Sequence, residues 1–88
     1  MIAREVVVRG RVQGVFFRDT TRRVAVSSGV TGWVCNEPDG SVRARIEGPP
    51  GPVEQVLRFL RHGPPEASVD GVEVADVAPE GVDGFEIR

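Results

Sequence analysis

The sequence predicts an α+β sandwich, with two helices packed on one face of an antiparallel sheet. Three observations carry that prediction. Strand-like runs of apolar residues are bounded by turn chemistry, two other runs repeat at helical spacing, and together they follow the order β-α-β-β-α-β with a short last strand. The 88 residues suffice for one core and leave no room for a second, so residues 1–88 are expected to form a single domain.

Residues Glu5 to Val12 alternate, with Val6, Val8 and Val12 on one face and Glu5, Arg9 and Arg11 on the other, the pattern of a half-buried strand. From Phe17 to Ser28, the positions Phe17, Thr21, Val24, Ala25 and Ser28 make one helical stripe, and Gly29 is a natural stop. Thr31 to Asn36 reads as a strand. Glu37-Pro38-Asp39-Gly40 is a turn, and Ser41 to Glu47 alternates again, with Val42, Ala44 and Ile46 inward and Arg43, Arg45 and Glu47 outward. These two strands form a hairpin.

Gly48-Pro49-Pro50-Gly51 breaks the chain, and Pro52 suits the first turn of a second helix. Val53, Val56, Leu57 and Leu60 supply its apolar stripe, which ends before Gly63-Pro64-Pro65. His62 in the last turn complements the helix dipole. A strand follows near Val69 to Val77, with Val72 and Val74 inward, and a short one covers Phe85 to Ile87. Two helices on one side of the sheet satisfy every apolar stripe, which is the ferredoxin-like arrangement.

Composition narrows the chemistry. All eleven basic residues are arginine, so neither a Walker-type lysine nor a Schiff base is available. One histidine and one cysteine cannot assemble the usual zinc ligand set, and no metal or other cofactor is expected. A Ser-His-Asp triad would need His62, far in sequence from any promising serine. Residues 3–8 are too few and too polar for a signal-peptide core, and no apolar run is long enough to span a membrane. The single Cys35 favours a reducing compartment, so a cytoplasmic protein is expected, monomeric at this size. Residues 1–45 hold eight arginines against four acids, and residues 46–88 hold three against nine. The first half can steer a small anion locally, while the total of −2 gives no bulk attraction to nucleic acid.

The segment Gly10-Arg11-Val12-Gln13-Gly14-Val15-Phe16-Phe17-Arg18 joins the first strand to the first helix. Two glycines free its backbone, and Arg18 stands at the helix mouth, a combination suited to a phosphate-like dianion. Arg18 opposes the helix dipole and lies four residues before Arg22; a bound anion reverses both penalties. In the competing reading Arg18 points to solvent, neutralised by Asp19 or Glu37. Val15, Phe16 and Phe17 read as packing residues. Asn36 closes a strand before a tight turn, where it either bonds its own backbone or, if near the anion loop, orients a water with its carboxamide. Cys35 reads as a small strand residue rather than a nucleophile, and Trp33 as packing.

With those residues assembled, the chain resembles the acylphosphatase family over nearly its whole length. GRVQGVFFR at residues 10–18 and GWVCNEPDGSV at residues 32–42 carry the resemblance, supported by the break after Glu47, the turn at Gly63-Pro64-Pro65 and the terminal Phe85-Glu86-Ile87-Arg88. The resemblance implies the same sandwich and metal-free hydrolysis of the carboxyl-phosphate bond of acyl phosphates. It implies that the residue 13–18 loop (Gln13, Gly14, Val15, Phe16, Phe17 and Arg18) holds phosphate, that Arg18 closes on it, and that Asn36 positions water. Inorganic phosphate is then both product and competitive ligand. Two departures stand out: Cys35 occupies a position where a basic residue is common, and the sequence ends at Arg88 without a terminal tyrosine.

Two other classes compete with this reading. Outward Arg9, Arg11, Arg43 and Arg45 would cluster on the open sheet face, where related folds hold single-stranded RNA, but those strands offer no aromatics for base stacking. Glu5 and Glu47 share that face, so a solvated, cross-paired surface is expected there. The fold also serves as an acyl- or carbamoyl-phosphate-handling module of larger enzymes; with no extension in this sequence, a free-standing enzyme is expected.

Overall fold

The computed structural model describes residues 1–88. Strand β1 (Ile2–Arg11) leads through the residue 12–16 loop to helix α1 (Phe17–Ser28), then β2 (Thr31–Asn36), β3 (Val42–Gly48), helix α2 (Pro50–His62), β4 (Ser68–Val77) and β5 (Phe85–Ile87). The strands lie side by side in the order β4-β1-β3-β2-β5. All neighbours are antiparallel except β5, which runs parallel to β2.

Both helices cover one face. Val6 and Val8 of β1, Val34 of β2, and Ala44 and Ile46 of β3 are wholly buried beneath Ala25 of α1 and Val53, Val56 and Leu60 of α2. The helices meet through Phe17 and Phe59, whose ring centres are 6.1 Å apart. The Gly29 amide closes α1 by donating to the carbonyls of Ala25 and Val26. No helix is long and apolar enough to cross a membrane.

β4 departs from simple alternation. Its register with β1 shifts between Arg9 and Gly10, leaving Asp70 as an extra residue, and Val69 and Val72 both pack on the core. Val74 was expected inward, but β4 is an edge strand and Val74 is left exposed. The bulge also explains Gly10: its φ is 128°, and a Cβ there would collide with the Ser68 carbonyl oxygen. That glycine serves strand packing.

The open sheet face is cross-paired as expected, but not wholly solvated. Arg43 and Arg45 both pair with Glu5, at 2.6 and 2.7 Å, and Arg45 pairs with Glu47 at 2.6 Å. The segment joining β4 to β5 crosses above them. Its Ala78 carbonyl accepts from Arg45, and its Glu80 and Gly81 amides donate to the Glu47 carboxylate. Arg45 and Glu47 are therefore buried under a strap of main chain. Arg9 pairs with Asp39 and Glu73.

Candidate active site

The site forms where the directions of the elements converge. β1, β2 and β5 all run the same way, so all end at one edge of the sandwich, and α1, antiparallel to β2, begins there. The loop from Val12 to Phe16 turns across that edge. It is anchored by Val12, Val15 and Phe17, all in the core. The Gln13 carboxamide donates to the carbonyls of Glu37 and Ser41 at 2.8 and 2.9 Å, tying the loop to the β2–β3 turn. That turn is closed by Gly40 N–H donating to the Glu37 carbonyl and by the Asp39 carboxylate, which accepts from the Ser41 amide and hydroxyl.

Phe16 is the unusual member of the loop. It is the one non-glycine residue with positive φ, at 62°, and it is 74% exposed, whereas the sequence reads it as a packing residue. Thr20 fixes it: the Thr20 amide and hydroxyl both donate to the Phe16 carbonyl, at 3.1 and 2.8 Å. With Gly14 also at positive φ, 73°, the loop curls. No amide from residue 13 to residue 16 donates to another main-chain group, and the amides of Phe17, Arg18 and Asp19 are the orphan donors of a helix's first turn.

A cleft of about 290 Å³ opens over this curl, lined by Val12, Gly14, Phe16, Phe17, Arg18, Asp19, Asn36 and Ile87. Of the residues singled out in the sequence, Gly14, Phe16, Phe17, Arg18 and Asn36 meet there. Gln13 and Val15 do not line it; their side chains hold the loop in place. No Asp or Glu side chain pairs with Arg18. Neither Asp19 nor Glu37 neutralises it, because Asp19 pairs with Arg23 at 2.6 Å and Glu37 accepts from the Cys35 thiol at 3.7 Å. Its one hydrogen bond is to the main-chain oxygen of Arg88, the last residue, at 3.2 Å. Burial, then the Glu37 carboxylate, pushes the Cys35 thiol above its ordinary range, so it is held protonated.

Asn36 makes no bond to its own backbone. Its Oδ1 is buried without any hydrogen-bond partner. A buried polar atom left unpaired in a packed protein costs about 1–3 kcal/mol, and so points to an absent guest. No three side chains among His, Cys, Asp and Glu come together as a metal-holding group. Ile87 was not anticipated. Parallel pairing of Val34 with Ile87 carries the end of β5 toward the Asn36 end of β2, a relation that no local periodicity encodes.

Known proteins agree with this geometry. The model of a family described as Acylphosphatase matches residues 4–87. The acylphosphatase of Rubrobacter xylanophilus is 55% identical over 84 residues, covering 94% of this chain and 76% of that protein. The acylphosphatase of Haloarcula marismortui is 53% identical over 83 residues, covering 94% and 91%. The crystal structure of acylphosphatase from Bacillus subtilis superposes with a TM-score of 0.96 at 32% identity, covering 100% of this chain and 99% of that one. Agreement of this extent in sequence and backbone leaves one assignment, and the chain belongs to the acylphosphatase family.

Proposed function

We propose that the cleft binds the phosphoryl group of an acyl phosphate and directs water to its phosphorus, without a metal ion. The observation that carries this reading is the unpartnered Asn36 Oδ1, in a cleft shared with an Arg18 that no acidic side chain pairs and with a curl of free amides. The amides of the residue 13–18 loop and the Arg18 guanidinium hold the equatorial oxygens, where negative charge accumulates during transfer. Asn36 Oδ1 accepts a hydrogen bond from the attacking water. The water oxygen forms a bond to phosphorus as the bond from phosphorus to the acyl oxygen breaks, and the electron pair leaves on the carboxylate. A carboxyl group has a reference pKa of about 4, so this leaving group needs no general acid. The water's proton passes to a phosphoryl oxygen, because the one carboxylate lining the cleft, Asp19, is paired with Arg23. Carboxylate and inorganic phosphate are the products, and phosphate competes for the same curl. The free Cys35 thiol supports a reducing location, the cytoplasm, and the enzyme is proposed to act as a monomer.

Acetyl phosphate hydrolysis in the presence of a chelator tests this. Arg18→Ala is expected to lower kcat/KM by about 10³-fold, and Asn36→Ala to lower kcat by about 10²-fold with KM nearly unchanged. A phosphate monoester should not be hydrolysed, because its poorer leaving group would need protonation. Native turnover by Arg18→Ala, or complete loss of native activity on chelation, would refute the proposal.

A further inference from the structure

We propose that Phe16 and Ile87 form a subsite for the acyl group and select acyl phosphates whose acyl part is apolar, branched or aromatic. The inference rests on the phosphoryl reading above and names the substrate class of that site. Phe16 breaks two rules at once. A bulky residue holds a left-handed backbone conformation that glycine adopts freely, and it is 74% exposed between two buried neighbours, Val15 and Phe17. Packing does not explain the ring, since it lies outside the core. Nor does phosphate binding, because the face of an aromatic ring carries negative charge density and offers nothing to a dianion. The main chain of residue 16 belongs to the phosphate curl, but the side chain must have another use.

Ile87 is the second apolar side chain exposed at the same cleft, at 43%. Phe85, two residues earlier on the same face of β5, is buried, and Ile87 emerges beyond it. The remaining charges in the lining are Arg18, assigned to the phosphoryl group, and Asp19, held by Arg23. No further cation lines the cleft to receive an anionic acyl tail, and Asp19 would repel one. An apolar tail beside the phosphoryl group would cover the Phe16 ring and the Ile87 side chain, removing both from water.

The test is the ratio of kcat/KM for benzoyl phosphate over acetyl phosphate, with phosphate-free buffer and chelator. These substrates share a leaving-group type and differ in the acyl part. The native ratio should be about tenfold or more. Phe16→Gly should bring it near unity while Tm stays within a few degrees of native, because glycine suits the backbone at that position. Ile87→Ser should reduce it several-fold. A native ratio near one, or a ratio unmoved by both substitutions, overturns the subsite while leaving acyl phosphate hydrolysis intact. If the native protein hydrolyses neither compound, the phosphoryl reading fails and this inference with it.

Discussion

Gly10 and Asn36 show how much a single position can conceal. Gly10 reads in the sequence as part of a flexible anion loop, yet the bulge of β4 against it is what excludes a side chain. Gly10→Ala should destabilise the fold by about 2 kcal/mol or more through strain and collision. For a domain this size that is a fall in Tm of about 8–16 °C, readable in a thermal melt. A melt within 2 °C of native would mean that β4 yields easily. Gly14 differs, since a Cβ there meets open space and only its φ of 73° argues for glycine. Asn36 was legible as a candidate because strand-end asparagines are versatile. Which bond it lacks was not legible, because that depends on atoms from α1, β5 and the loop.

At the scale of elements, the hairpin alternation correctly assigned Val42, Ala44 and Ile46 to the helix side and Arg43, Arg45 and Glu47 to the other. It could not show that the β4–β5 strap covers Arg45 and Glu47, because residues 78–84 carry no periodic pattern. Burial pushes the Glu47 carboxyl upward, but Arg45 and the amides of Glu80, Gly81 and Val82 outweigh it and hold it below the ordinary 4.5. Glu5 is likewise held low, first by the hydrogen bond from Arg43. Both carboxylates bind fewer protons when folded, so their contribution is complete above pH 4.5 and declines as pH falls through their lowered values. Asp39 follows the same sign, held at about 2 by the Ser41 hydroxyl and amide. Urea unfolding should therefore give a lower midpoint at pH 3 than at pH 6. Glu47→Ala, which leaves the buried Arg45 with Glu5 and the more exposed Glu80, should cost about 3 kcal/mol at pH 6. An unchanged midpoint in Glu47→Ala would show that the strap is not held by this carboxylate.

At the scale of the whole molecule, the site joins residues more than seventy positions apart, Gly14 and Ile87, at the edge where three strands end and one helix begins. A ligand that bridges them should tie the fold together. Inorganic phosphate at about 100 times its Kd should stabilise the native state by about 2.7 kcal/mol. In a thermal melt that appears as a rise of about 11–22 °C over chloride at matched ionic strength. Arg18→Ala should abolish the rise, whereas an equal rise in that variant would place the anion elsewhere.

Local periodicity and turn chemistry by themselves determined the element order, the two helical stripes and the loop with Arg18, because each depends on neighbours within a few residues. The resemblance carried by residues 10–18 and 32–42 then indicated the family. Only tertiary structure decided that β5 runs parallel beside β2, that a strap buries Arg45 and Glu47, and that Phe16 stands exposed over the cleft. Those outcomes depend on packing between segments distant in the chain, where loop conformation and strand order, rather than the pattern of any one segment, determine which surfaces meet.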